Sequence, residues 1–187
     1  MSAATGAGLA GGPGAPADLP TGHAPALARN LDPLALRRVF GAFPTGVTAL
    51  AALVDGEPVG MTASSFVPVS LDPPLVSVCA ALTSTTWPRL RRAHRLGVSV
   101  LGGTQEGASR QLATRGAEPR FAGLEWHRTD EGAVLLGGAG AWFDCSVEQE
   151  IGAGDHRIVL LRVHVTGIDP HVPPLVFHAG RYRRLAG

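Results

Sequence analysis

Between Ala141 and Val165 the chain alternates, reverses and alternates again, and no other feature limits its fold so strongly. Ala141, Phe143, Cys145 and Val147 interleave with Trp142, Asp144, Ser146 and Glu148, the period of two that sends successive side chains to opposite faces of a strand. Gly152-Ala153-Gly154 supplies a turn, and Val159, Leu161, Val163 and Val165 then fall on one face of a returning strand. A hairpin with one apolar face needs a second layer to cover it, which commits this part of the chain to an antiparallel β architecture.

Other segments extend that reading. Asp32 suits a helix N-cap and Pro33 the first turn, with Leu36, Val39, Phe40 and Phe43 spaced for one apolar face before Pro44 ends the helix. Val47 to Val54 and Glu57 to Phe66 read as strands joined by Asp55-Gly56, a two-residue hairpin signal. Leu75 to Leu82 is a further strand after Asp72-Pro73-Pro74, and Leu96 to Leu101 another, beyond a short helix near Trp87 to His94. Thr104 is placed to cap a helix running to about Arg115, and Leu175 to His178 and Tyr182 to Leu185 read as closing strands. The expectation is a mainly β protein with short helices, closed as a barrel, forming one unit over residues 31–187. Residues 1–30, rich in Ala, Gly and Pro without periodicity, are expected to be a disordered tail. The literal G-x-G-x-x-G from Gly6 to Gly11 lies there without a flanking strand or helix, so it is a chance match.

Composition removes several functions. The sixteen basic residues are all arginine, so lysine Schiff bases and lysine phosphate anchors are excluded. Scattered arginines and 5% aromatic residues make nucleic acid a poor partner. With 45% hydrophobic and 17% charged residues the chain reads as globular with a large buried interface. No membrane span or export signal is expected, and Cys79 and Cys145, far apart in apolar contexts, fit buried free thiols in the cytoplasm. H-E-x-x-H, G-x-S-x-G and P-loop patterns are missing, and no residue spacing supports a metal site.

Three stretches can carry chemistry. Met61-Thr62-Ala63-Ser64-Ser65 places hydroxyls and small side chains at a strand end, where a flat ring could approach the main chain; an ordinary Thr/Ser-rich strand would show the same pattern. Thr83-Ser84-Thr85-Thr86 precedes a helix, where hydroxyls and free N–H groups suit a phosphate, although N-capping alone needs one of the four. His156 follows a glycine turn at a strand mouth, a place for ligand contact or merely for a surface histidine. Arg91, Arg92, His94 and Arg95 read as structural, Arg162 and His164 as solvent-facing or interface residues, and the three tryptophans as core or interface.

Phe43-Pro44-Thr45-Gly46-Val47-Thr48, Gly60-Met61-Thr62-Ala63-Ser64-Ser65-Phe66, Ser70-Leu71-Asp72-Pro73-Pro74-Leu75-Val76 and Gly154-Asp155-His156 together resemble, in order and spacing, the flavin reductase-like family, over roughly Leu34 to Leu185. The resemblance implies an FMN-binding split β-barrel, homodimeric, that passes hydride from NADH or NADPH to FMN or FAD and supplies reduced flavin to a flavin-dependent monooxygenase by diffusion. By position it implies Thr45 and Met61 to Ser65 along the flavin ring, Cys79 and Ala80 on its far side, Ser84 and Thr86 at the phosphate, and Gln105 as a further contact. Ser99 stands where relatives often carry Asn. His156 and Tyr182 would meet the nicotinamide nucleotide, and no acid, base or nucleophile is required, because hydride passes directly between cofactors. Two alternatives stay open: a split barrel that binds flavin or haem without turnover, and a flavoprotein that retains its flavin and acts on an organic substrate.

Overall fold

The structure, a computed structural model, describes residues 29, 31–114, 116 and 119–185. The expected tail lies outside these residues except for Arg29. In chain order the elements are α1 (Pro33–Phe40), β1 (Thr45–Gly46), β2 (Thr48–Val54), β3 (Glu57–Ala63), β4 (Val67–Leu71), β5 (Pro74–Ala81), α2 (Trp87–Leu90) and β6 (Leu96–Val100). They continue with α3 (Glu106–Ala113), β7 (Trp126–Arg128), β8 (Val134–Leu136), β9 (Ala141–Ala153), β10 (His156–Ile168), β11 (Leu175–His178) and β12 (Arg181–Arg184).

Seven strands form one sheet in the order β3-β2-β6-β9-β10-β5-β4, with β1-β11-β12 and β7-β8 as smaller sheets. Val59 of β3 shares a core with Val76, Val78 and Ala80 of β5, near the far end of the sheet order, so the large sheet is curled upon itself. Leu90, Leu96, Val98, Cys145, Val159 and Leu161 complete that interior. On the other face of β2, Ala49 and Ala51 join Leu101, Leu112, Val134 and Leu175 in a second core. Burial on both faces explains why β2 reads as a continuous apolar run rather than an alternation. The architecture is the split β-barrel expected from the sequence.

Local chemistry accounts for most of the boundaries. The Asp32 carboxylate accepts from the Leu34 and Ala35 N–H groups at 2.9 Å and caps α1. Asp55 and Gly56 have φ of 55° and 85°, the paired positive values of the type I′ turn that the two-residue signal predicts. Gly97 is required by packing: a Cβ there would lie 2.0 Å from the Val134 carbonyl oxygen, so β8 rests directly on the β6 backbone.

Several expectations need correction. The strand expected over Glu57 to Phe66 stops at Ala63, and Ser65 Oγ instead accepts from the Cys79 N–H at 2.8 Å. Gln105, not Thr104, precedes α3, and its side chain makes no cap. The hairpin turn is Gly154-Asp155, because Ala153 and His156 already pair. Val165 is 62% exposed, since a register shift between Val163 and Val165 turns it to the face opposite Leu161. Cys145 is fully buried, and burial pushes its thiol up to about 12, but Cys79 is only partly buried. Among the described residues much of the apolar side of α1 is left open: Leu36 is partly buried, but Val39 and Phe40, and Phe43 just beyond the helix, are each more than two-thirds exposed. Among the described residues no helix is long and apolar enough to cross a membrane.

Candidate functional site

The end of β3 and the segment after it border two adjoining cavities. Thr62, Ala63 and Ser64 line an inner one of about 180 Å³, opposite Phe177 and Tyr182. Met61 and Thr62 line a middle one of about 190 Å³ with Ala81, Ser84, Thr86 and Arg120. Thr62 borders both, so the two cavities adjoin along the small and hydroxyl-bearing residues at the end of β3.

The inner wall is fixed from below. Tyr182 reaches across from β12, with its hydroxyl 2.8 Å from the buried Ser109 Oγ of α3. The Phe177 ring meets it edge-on at 5.2 Å, and the Arg110 guanidinium lies 4.9 Å over its face. Tyr182 therefore stands as a rigid wall facing Thr62 to Ser64. Thr45 pairs with Phe177 in the β1-β11 ladder, and its Oγ1 is buried without any hydrogen-bond partner among the described residues. A buried hydroxyl left unpaired costs about 1–3 kcal/mol, and Thr45 lines neither cavity.

The middle cavity has a different character. Ser84 Oγ accepts from the Trp87 N–H at 3.1 Å, so one hydroxyl of the four serves the short helix α2, as simple capping requires. Thr86 is buried, and Arg120 Nη1 donates to its Oγ1 at 2.8 Å and to the Gly60 carbonyl at 3.2 Å. Arg120 Nε is buried with no partner. A guanidinium next to Ser84 and Thr86, with no carboxylate partner among the described residues, is suited to a phosphate in a chain that has no lysine. Sequence reasoning missed Arg120, because it lies 60 residues from Gly60 and in no local motif. Ser109 and Arg110 were missed for the same reason.

His156 opens β10 opposite Ala81, which lines the middle cavity. Its Nδ1 lies 2.7 Å from the Asp155 carboxylate, whose hydrogen bond with the ring holds that carboxyl below its usual range. An ionised carboxylate only accepts, so Nδ1 carries the proton and Nε2 is left without a partner among the described residues. Cys79 shares the face of Ala81 by strand alternation.

Six of the expected flavin contacts line neither cavity: Thr45, Ser65, Cys79, Ala80, Ser99 and Gln105. Ala80 is 1% exposed and packs in the first core. Ser99 is equally buried and its hydroxyl accepts from the Leu136 N–H at 3.0 Å, tying β6 to β8. Gln105 is spent on the Gly102 N–H and the Gly137 carbonyl at 2.8 and 2.7 Å. Ser99 and Gln105 have structural duties that leave neither side chain lining a cavity.

The fold is a split barrel whose two adjoining cavities are lined by neutral residues along the end of β3 and by Arg120 at one end. Residues 40–186 match the Flavin reductase like domain, and the chain belongs to that family. It is 44% identical over 137 residues to a "Probable flavin reductase" of Rhizobium meliloti (strain 1021), covering 73% of this chain but 44% of that longer protein. To "Flavin reductase" of Pseudomonas putida it is 38% identical over 153 residues, covering 81% of this chain and 89% of that one. Among solved structures, NADH:FAD oxidoreductase SgcE6 of Streptomyces globisporus C-1027 superposes with a TM-score of 0.80 at 38% identity, over 88% of this chain and 100% of that one.

Proposed function

We propose that the chain is an NAD(P)H:flavin oxidoreductase that supplies reduced flavin to a partner monooxygenase. The observation that carries this is the pair of adjoining cavities that share Thr62, an inner one of about 180 Å³ and a middle one of about 190 Å³ lined by Arg120. Ser64 and Ala63 line the ring end, Ser84, Thr86 and Arg120 hold the phosphate, and Tyr182 closes one side. When both are bound, nicotinamide supplies hydride and the flavin ring accepts it. The protein then needs only to press two rings together and keep water out, which matches walls of small residues without a charged catalytic cluster.

His156 is the nucleotide contact in this reading, through its unpartnered Nε2. His156→Ala raises KM for NADH or NADPH by about tenfold, the size of one hydrogen bond to a charged group, and leaves flavin KM unchanged. Steady-state NAD(P)H oxidation with free FMN or FAD measures both. Unchanged nucleotide kinetics would remove His156 from the site. The same assay separates a reductase from a non-catalytic flavin- or haem-binding barrel, which would show no sustained turnover.

The exposed apolar face of α1, together with Val67, Val69 and Leu71 on the edge strand β4, supports a homodimer. Sedimentation velocity is expected to give twice the chain mass at micromolar concentration, and Phe40→Asp with Phe43→Asp to shift it toward the monomer. A monomeric wild type would refute the assembly. Two cysteines without a disulfide fit a cytoplasmic setting.

A further inference from the structure

The turn end of the β9-β10 hairpin and the short helix α2 meet on one carboxylate. Glu150 pairs with the fully buried Val159 in the β9-β10 register, so its side chain turns toward the barrel interior and is only 11% exposed. Three donors converge on it. Trp87 Nε1 of α2 donates to Oε1 at 3.3 Å, and Arg91 Nε, one residue past that helix, lies 3.1 Å from the same oxygen. From β10, Arg157 Nη1 donates to Oε2 at 2.9 Å. Each oxygen therefore serves a different element: Oε1 holds α2, and Oε2 holds the start of β10.

Both elements lead to residues with a place in the proposed reaction. The Trp87 N–H donates to Ser84 Oγ at 3.1 Å, and that hydroxyl lies 4.0 Å from Met61 Sδ, beside it in the wall of the middle cavity. The indole bonded to Glu150 thus belongs to the residue that orients the Ser84 hydroxyl. Arg157 follows His156, and strand alternation turns the two to opposite faces, Arg157 inward to Glu150 and His156 to the face of Ala81. The β5-β10 ladder ends at the pair of Ala81 with His156, extended by one bond from the Leu82 N–H to the Asp155 carbonyl at 2.9 Å. From there Glu150 carries the alignment across to α2 through side chains. The ion pairs of Arg95 with Asp144, Arg110 with Glu106 and Arg162 with Glu148 lie elsewhere and join neither element to the other.

We propose that Glu150 is a positioning residue for hydride transfer: its two oxygens set the spacing between Ser84, at the flavin phosphate, and His156, at the nicotinamide nucleotide. The proposal rests on the reductase reading above and on the roles it gives those two residues. Hydride transfer needs the two rings at one separation, and a displacement of about 1 Å can cost about 100-fold in rate. A single carboxylate bonded to both elements resists such a displacement, because moving either one strands a charged donor with no partner.

The experiment compares the wild-type full chain with Glu150→Gln and Glu150→Ala in steady-state nucleotide oxidation, with FMN, riboflavin and the nicotinamide nucleotide each varied in turn. In Glu150→Gln the amide oxygen still accepts from Trp87 and Arg91, but the NH2 group cannot accept from Arg157. This variant is expected to raise nucleotide KM about fivefold and to leave FMN KM within about twofold of wild type. Glu150→Ala removes both links, and is expected to raise both KM values and to lower kcat, each about tenfold. Riboflavin, which has no phosphate, is expected to keep its KM within about twofold in both variants. Parallel rises for riboflavin and FMN, or equal rises for FMN and nucleotide in Glu150→Gln, would overturn the proposal, because a general loosening moves every ligand together. Wild-type kinetics in either variant would overturn it as well. Should Glu150→Ala fail to fold, the split between nucleotide and FMN in Glu150→Gln decides alone. A wild type that reduces no flavin is a different result: it refutes the reductase reading, and this proposal with it.

Discussion

Thr62→Trp is expected to lower kcat/KM for flavin by about 100-fold or more, the loss that follows when reacting groups are held out of position. Thr62 borders both the inner and the middle cavity, and their volumes of about 180 and 190 Å³ are small enough for one indole to obstruct them. The residue is only partly buried, so the indole enters open space rather than the core. The far-UV circular dichroism spectrum and thermal midpoint therefore stay near those of the wild type. Thr62→Ser, which keeps the hydroxyl and the space, retains activity. A fully active, folded Thr62→Trp enzyme would show that the ring binds elsewhere.

The same position shows what can be seen in a sequence and what cannot. Small residues and hydroxyls from Met61 to Ser65 are contiguous, so their suitability for a flat ligand is visible without coordinates. Asp55-Gly56 is legible for a similar reason, since the turn depends on two adjacent residues adopting positive φ. The β9-β10 hairpin announces itself by period. Strands β7 and β8, of three residues each, are too short to establish one, and Pro68 disguises the edge strand β4. Val165 was misplaced because a bulge reverses strand parity without any local sign.

In the site, the unreadable part is what arrives from far along the chain. Ser109 meets Tyr182 across 73 residues, and Arg120 meets Thr86 across 34. The family pattern carried Ser99 and Gln105 forward as flavin contacts, but their side chains are committed to Leu136 and to Gly102 and Gly137. A motif transfers a position, and only the hydrogen-bond partners reveal whether the side chain is free. The exposed side of α1 makes the complementary point: its amphipathic spacing predicts a buried face, yet among the described residues Val39 and Phe40 stay more than two-thirds exposed.

Arg120→Ala tests the phosphate end with a ligand series that a purely structural residue would not discriminate. FMN is riboflavin with a phosphate added, so the two share the ring and differ at the group assigned to Arg120. Removing the guanidinium is expected to raise KM for FMN by about 10- to 100-fold, the range for a charged hydrogen bond or bidentate pair. KM for riboflavin is expected to stay within about twofold, because neutral contacts along Thr62 to Ser64 are untouched. The substitution also deprives Thr86 Oγ1 and the Gly60 carbonyl of their Arg120 hydrogen bonds. If that loss merely loosened the join between α2 and β3, both ligands would weaken together. Arg120→Lys restores the charge but not the fork, and recovers part of the FMN affinity without altering riboflavin. Parallel losses for FMN and riboflavin in Arg120→Ala would make Arg120 a structural brace and move the phosphate elsewhere.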